Sequence, residues 1–345
     1  MSALDRMSAR RGDARYLAER LAAQETRIIV LVGEKPVIRS NPERTAASLA
    51  LFAPDALLTS DADNQALMFL GVRPETGVAI FALVLAPDDA LRHDPEGRIL
   101  APAVDVRSLA MQGVLTSDEL ALAATAVALA HWHAETRYCG RCGHATRMLE
   151  GGWKRDCAAC GHAQFPRTDP VVIMLPTAGD HCVLARQPQF PDGMMSAIAG
   201  FLEPGESIES AVARETAEEI GLTVTRVRYV QSQPWPFPHS LMIGAIAHVP
   251  YAPLTIDTAE LAEARWLDRA EARKIIEGAH PHGLWAPRGH AIAHWLLRRF
   301  VEGGAYLEQH AAGQCAACLI WGLAGRKLRC SLAVCDCFDE PMAGN

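Results

Sequence analysis

Short apolar runs separated by turn residues organise this chain. TRIIVLV (26–32), ALMFLGV (66–72) and GVAIFALVLA (77–86) are rich in β-branched and aliphatic residues and are separated by turn residues, which predicts strands. GRILAPAVDV (97–106) predicts another. Residues 1–25 are polar and helix-compatible. TSDELALAATAVALAHWHAET (116–136) opens on a cap signal and continues in Ala and Leu, which predicts a helix. Residues 1–135 therefore predict an α+β domain, with no chemical constellation visible in it. Farther on, PVVIML (170–175), HCVLA (181–185), VTRVRYVQS (224–232) and LMIGAIAHV (241–249) predict strands. SAIAGFLE (196–203) adds a strand-like run before a central helix over 207–220. LDRAEARKIIEG (267–278) and RGHAIAHWLLRRFVE (288–302) predict two more helices. Residues 167–303 thus read as a mixed α/β domain.

The central helix is amphipathic in an unusual way. Ile208, Val212 and Ile220 form an apolar stripe that Thr216 interrupts. Ser207 is placed to cap its start and Gly221 to end it. On another face stand Glu215, Glu218 and Glu219, at spacings that bring side chains together. Like charges so placed repel by roughly 0.2–0.5 kcal/mol per pair. Carboxylate oxygens at this density suit a hard divalent cation, Mg²⁺ or Mn²⁺. From the three glutamates alone, a solvated acidic face is the alternative.

Composition narrows the class. The chain has 345 residues, half of them hydrophobic and about a fifth charged, enough for two ordinary globular domains. A net charge of −7 speaks against a broad basic field for nucleic acid. No apolar run approaches the ~20 residues of a membrane span, and MSALDRMSARRGDAR has no apolar segment behind its charges. The expectation is a cytoplasmic protein with no membrane partner.

The ten cysteines cluster. CGRC (139–142) and CAAC (157–160) place Cys139, Cys142, Cys157 and Cys160 on two tight turns, with Gly140, Gly143 and Gly161 supplying backbone freedom. Four thiolates at this spacing predict a closed tetrahedral Zn²⁺ ribbon over 138–166, structural in role. Arg141, Arg147, Lys154 and Arg155 would allow weak nucleic-acid contact there. Cys315, Cys318, Cys330, Cys335 and Cys337 have no assignable spacing, and 304–345 reads as an extension of unknown role. Cys182 reads as a small buried hydrophobe. His131 and His133, at i and i+2 on a helix, point apart and share no metal.

SQPWPFPHS (232–240) stands out for its prolines, which stiffen the chain and speak against strand pairing. Trp235 and Phe237 are expected on a rigid loop, as a wall for a flat ring worth about 1–3 kcal/mol of stacking. Buried core aromatics are the alternative.

Two stretches carry a family resemblance. Gly200, Glu206, Arg214, Glu215, Glu218, Glu219, Gly221 and Leu222 fit the Nudix box G-x5-E-x7-R-E-U-x-E-E-x-G-U, with Thr216 departing where a large aliphatic is usual. Residues 232–240 fit SQPWPFPxS, and with the preceding ribbon the chain from about 20 to 303 resembles the NADH pyrophosphatases, also known as NAD-capped RNA hydrolases. The resemblance implies a Nudix α/β/α sandwich with an N-terminal α+β domain and an inserted zinc ribbon. It implies hydrolysis of NADH or NAD⁺ to the mononucleotide and AMP, with removal of NAD caps from RNA a related activity, and a homodimer with one structural zinc per chain. Glu215, Glu218, Glu219, Glu260 and the Ala199 carbonyl are expected to hold Mg²⁺ or Mn²⁺, Glu218 or Glu219 to act as base, and Arg214 to orient the cluster, partly through Glu206. Phe165, Gln233, Pro234, Trp235, Pro236, Phe237, Pro238, His239, Ser240 and Ala293 are expected at the substrate. A broader dinucleotide or ADP-ribose pyrophosphatase is the rival within hydrolases. A zinc-ribbon regulator that senses nucleotides with an inactive Nudix domain is the rival of another class.

Overall fold

The computed structural model describes residues 4–41, 46–57, 67–85, 103–287, 289 and 291–303. In the N-terminal part, α1 (Ala14–Leu21) is capped by Asp13. Strands β1 (Arg27–Val32), β2 (Met68–Val72) and β3 (Ala79–Leu85) form a sheet in which β3 lies between a parallel β1 and an antiparallel β2. Short strands Lys35–Pro36 and Leu51–Phe52 also pair with β1. Helices α2 (Val106–Gln112) and α3 (Ser117–Glu135) cover the sheet through Leu109, Leu122, Ala126 and Leu129. The cap signal at 116 is realised as a reciprocal box: Thr116 accepts from the Glu119 amide, and Glu119 accepts from the Thr116 amide. Of the strand expected over 97–106, residues 97–102 lie outside the described residues. Residues 103–105 form no strand, and Val106 begins α2.

A three-stranded ribbon follows: β4 (Thr146–Leu149), β5 (Lys154–Cys157) and β6 (Ala163–Gln164). The next sheet has six strands. Its path is β10 (Arg226–Trp235), β11 (Ser240–His248), β7 (Asp169–Ala178), β8 (His181–Arg186) and β12 (Glu263–Asp268), with β9 (Ile198–Phe201) on β7. The β7–β11 pair is parallel and the others antiparallel. Alternation along β7 builds a core on each face. Val172 and Met174 pack with Val212 and Ile220 of α4 (Ile208–Ile220). Ile173 and Leu175 pack with Ile275 of α5 (Arg269–Glu277) and Leu296 of α6 (Ile292–Glu302). The sheet is therefore sandwiched between helices, as the alternation of strand and helix signals predicts.

The proline-rich stretch differs from expectation. β10 runs through Gln233 and Pro234 to Trp235, paired with β11 as Pro234↔Leu241 and Trp235↔Ser240, and residues 236–239 make the turn. β10 is the first strand of the path, and an edge strand tolerates a residue with no N–H to donate. The stretch is thus the tip of a hairpin. Among the described residues no helix is long and apolar enough to cross a membrane.

Candidate active site

Helix α4 is fixed at both ends by its own sequence. The Ser207 hydroxyl accepts from the Ser210 amide at 3.2 Å, and Gly221 closes the helix at φ 72°. The anomalous Thr216 is fully buried and gives its hydroxyl to the Val212 carbonyl at 2.7 Å, so its polar atom carries no penalty in the core.

Arg214 is the hub of the polar face. Its Nε and Nη2 donate to the two oxygens of Glu206 at 2.7 and 2.9 Å, a bidentate pair. Its Nη1 reaches Glu215 at 2.9 Å and Glu218 at 3.0 Å, and Nη2 also meets the Phe201 carbonyl at 2.9 Å. Held this way, Glu206 is pulled down to about 2, chiefly by the Arg214 hydrogen bond and then by the Glu203 amide. One guanidinium thereby gathers the helix, the turn before it and the end of β9.

Glu215 lies over Gly200. A Cβ built on that glycine would fall 1.9–2.3 Å from the Glu215 carboxylate, so no other residue fits at 200 without moving it. Glu219 goes deeper. It is 2% exposed, and neither carboxylate oxygen has a hydrogen-bond partner; the Ala199 amide approaches without reaching bonding geometry. Burial first, then the charges of Glu215 and Glu260, push Glu219 up to about 8. Burial also raises Glu215, against the pull of Arg214. Glu218 is the outer member, its side chain 58% exposed.

Glu260 arrives from the connection between β11 and β12. That connection is pinned to the end of α4: the Thr255 amide donates to the Ile220 carbonyl and the Asp257 amide to the Glu219 carbonyl, each at 3.0 Å. Asp257 adds to the negative field at Glu219. Two orphaned, buried carboxylate oxygens facing further carboxylates fit a divalent cation, because a buried anion without a partner is otherwise costly. The carboxylates are not gathered into a closed cage. Among the described residues, the sets of three or more ligand atoms within 4.8 Å of one another are the four cysteines and His131–Glu135–His239. Arg214 holds Glu215 and Glu218 toward itself instead.

This arrangement gives a signed pH dependence. A carboxyl raised in the fold keeps a proton that the unfolded chain has released. Its stabilisation is full below the ordinary value, near 4.5, and is lost as pH climbs to about 8. Metal-free protein is expected to melt lower at about pH 9 than at about pH 6, and Glu219→Gln to flatten that difference. Added Mg²⁺ should raise Tm more at the higher pH, where no proton competes for Glu219. Thermal melts of both proteins, with and without Mg²⁺, check this.

The expected substrate residues separate into groups. Trp235 and Phe237 meet edge-on at 4.9 Å, but Phe237 also packs on the N-terminal core. Gln233 is engaged elsewhere, its Oε1 accepting the Ile292 amide at 2.8 Å at the start of α6, a helix without a side-chain cap of its own. Ala293 is 5% exposed in the α6 core among Leu296 and Ile246, because it falls on the apolar stripe of that helix. Pro234 is exposed, Pro236 and Pro238 are partly buried in the turn, and the Phe237–Pro238 peptide is cis. Ser240 pairs with Asp169 in register, and His239 sits beside Asp169. Phe165 is 62% exposed with Lys154 over its ring. Exposed Phe201, next to the box glycine, was passed over by the sequence reading; its position directly after Gly200 was the available signal.

A cavity of about 290 Å³ lies elsewhere, lined in part by Thr177, Arg228, His248, Arg269 and Arg299. Thr177 is five positions along β7 from Val172, which faces Gly200, and Ile246 and Phe300 in its wall belong to the α5–α6 face. It is not part of the carboxylate site.

In the ribbon, each cysteine pair forms the same knuckle. The Gly143 and Gly161 amides return to the Cys139 and Cys157 carbonyls at 2.8 Å, with both glycines at positive φ. The sulfurs of Cys142 and Cys157, Cys142 and Cys160, and Cys139 and Cys160 are 3.4, 3.4 and 3.7 Å apart. Tetrahedral Zn²⁺ with ~2.3 Å bonds spaces its sulfurs by about 3.8 Å, so the cluster suits zinc. Burial opposes ionisation of Cys139, but the Arg141 and Cys142 amides and the neighbouring thiols outweigh it and hold it down to about 7. The basic residues nearby are mostly committed: Arg147 to Asp156, Lys154 to Glu150, Arg155 to Thr146 and His133. The five cysteines of 304–345 lie outside the described residues. Cys182 is fully buried in the α5–α6 core.

Comparison with known proteins follows the same partition. A NUDIX domain model matches residues 166–289, the NADH pyrophosphatase zinc ribbon domain matches 134–165, and the NADH pyrophosphatase-like rudimentary NUDIX domain matches 25–132. The NAD-capped RNA hydrolase NudC of Mycobacterium bovis (strain BCG / Pasteur 1173P2) is 43% identical over 223 residues, 64% of this chain and 69% of that protein. The NAD-capped RNA hydrolase NUDT12 of Homo sapiens is 40% identical over 198 residues, 54% of this chain and 43% of that protein. The chain thus spans less than half the length of the NUDT12 relatives it matches. A NUDIX hydrolase crystal structure from Nitrosomonas europaea aligns with a TM-score of 0.37 and 21% identity, over 50% of this chain and 93% of that one.

Proposed function

Given that the chain belongs to the Nudix hydrolases, in the family of NADH pyrophosphatases and NAD-capped RNA hydrolases, we propose that it hydrolyses the pyrophosphate of NAD(H) to nicotinamide mononucleotide and AMP. The observation that carries this reading is the buried, unpartnered Glu219 carboxylate beside the Arg214 hub. Catalysis falls to residues 167–303, with 1–135 and the ribbon of 138–166 as supporting domains. Glu215, Glu219 and Glu260, with the Ala199 carbonyl, would hold Mg²⁺ or Mn²⁺, and Glu218 is a further candidate ligand. When bound, the cation supplies neutralisation of the phosphate charge and acidification of the attacking water.

The chain's own groups do the rest. Arg214 fixes the rotamers of Glu206, Glu215 and Glu218 before substrate arrives, which removes reorganisation from the reaction. Glu218 keeps one oxygen on Arg214 and is exposed, so its other oxygen can take the proton of an entering water. The water oxygen then bonds to phosphorus, the bridging P–O bond breaks, and the leaving mononucleotide carries away the bridging oxygen. Trp235 at the hairpin tip, with exposed Phe165 and Phe201, offers ring faces to the bases. By family likeness the working form is a cytoplasmic homodimer with one structural zinc per chain.

The NAD-capped end of an RNA carries the same pyrophosphate, and the names of the relatives favour it as a second substrate. Chromatographic product profiles are expected to show AMP and the mononucleotide from NADH and NAD⁺, 5′-monophosphate RNA and the mononucleotide from NAD-capped RNA, and AMP with ribose 5-phosphate from any ADP-ribose that is cleaved. A preference for ADP-ribose well above NADH would replace this reading with the broader pyrophosphatase. Binding of NADH without release of AMP would favour the sensor.

A further inference from the structure

The proposed reaction leaves unused a second set of metal-ligating groups, where the N-terminal domain meets the hairpin tip. His131 and Glu135 lie one turn apart on α3, and His239 closes the turn after β10. One ligand atom from each falls within 4.8 Å of the others. We propose that His131, Glu135 and His239 bind one borderline transition-metal ion of the Zn²⁺ class, apart from both the four cysteines and the carboxylate helix.

The donor set selects the ion. Two imidazoles and one carboxylate favour Zn²⁺, Ni²⁺ or Co²⁺ over Mg²⁺, whereas α4 offers oxygen alone. Three protein ligands also leave one position of a tetrahedron open.

The surroundings are those of ligating histidines. A metal-bound imidazole usually gives its second nitrogen to a carboxylate, which fixes ring orientation and raises ligand basicity. His131 Nδ1 lies 2.5 Å from Glu34, which leaves Nε2 as the donor, 3.2 Å from Glu135. Asp169 faces His239 Nδ1 at 3.3 Å, and that nitrogen is buried without a hydrogen bond. Glu34 and Asp169 are the outer partners such a site requires. Arg167 offsets one of the nearby charges through its 2.7 Å contact with Asp169. With neutral imidazoles, three carboxylates against one guanidinium leave a net negative field that draws a dication. Tetrahedral N and O ligands stand roughly 3.4 Å apart, so a modest side-chain rotation closes the set.

The site would fasten α3 to the turn carrying Phe237, whose ring already packs on the N-terminal core. His239 fills the one unspecified position of SQPWPFPxS, so the site is a property of this chain and not of that pattern.

The test counts metal and does not depend on hydrolysis. The full chain is equilibrated with buffered Zn²⁺ in excess Mg²⁺, which keeps the carboxylate helix occupied. Zinc bound per chain is then counted on the intact protein and is expected to be one ion higher in the wild type than in His131→Gln or Glu135→Gln. Glu135 is largely exposed, so its variant keeps the test open if His131→Gln does not fold. Added Zn²⁺ should also raise the Tm of the wild type more than that of either variant. Equal zinc in the wild type and both variants overturns the proposal and leaves a metal-free ionic clasp.

Discussion

Glu219→Gln is expected to cut turnover on NADH by on the order of 10³-fold, ~4 kcal/mol of transition-state stabilisation, without weakening the fold. The two effects separate because Glu219 is unfavourable in the metal-free protein. It is buried, unpartnered and pressed by Glu215 and Glu260. The amide keeps the shape and removes the charge, so the protein at neutral pH should melt no lower than wild type. What is lost is a charged ligand at the position where the cation would be held most deeply. Steady-state rates at saturating Mg²⁺, beside thermal melts, make the comparison. A kcat within about tenfold of wild type would mean that the buried carboxylate is a structural oddity and that the chemistry lies elsewhere. Such a division between stability and activity is expected wherever a site stores unfavourable charge for later use.

The second large effect concerns the ribbon. Cys139→Ser is expected to lower Tm by roughly 10 °C or more and to abolish zinc retention at the four-cysteine cluster, because structural zinc in small modules supplies on the order of 10–16 kcal/mol of folding free energy. The ribbon has little else to hold it, since its buried residues are Cys139, Thr146, Gly152 and Cys157. Its loss would spread. Gly151 and Gly152 pack directly against Phe69 and Met68 of β2, and Trp153 donates to the Phe69 carbonyl. His133 of α3 meets the Gly152 carbonyl at 2.9 Å and Arg155 at 2.9 Å. Burial and Arg155 hold His133 down to about 4, so this joint stays neutral on the histidine side across the physiological range. Calorimetry with parallel zinc analysis gives the result. An unchanged Tm would show that hydrogen bonds to the N-terminal domain suffice without metal.

Helix α4 was readable in advance because every local signal agreed. Ser207 and Gly221 mark its ends, the apolar stripe sets its phase, and the carboxylates follow from that phase. The cysteine knuckles were readable for the same reason, since spacing and glycine placement specify a turn. Features that depend on a remote partner were not. Pro234 argued against pairing, yet strand order put it on an edge, and strand order is not written locally. Ala293 falls on the buried stripe of α6, a phase set by what that helix packs against. The bond that Gln233 accepts from a helix start 59 positions away has no local signal either. The encounter of His131 with His239 comes only from the docking of the hairpin on α3. The anchoring of 255–257 on the last carbonyls of α4, which delivers Glu260, has no signature in the sequence at all.

The seating of Glu215 over Gly200 makes one position conditional on the other. Any side chain at 200 evicts the carboxylate, so a chain that keeps Glu215 in this place has no silent exchange at 200. The dependence runs one way, since a shorter residue at 215 would leave room beside 200.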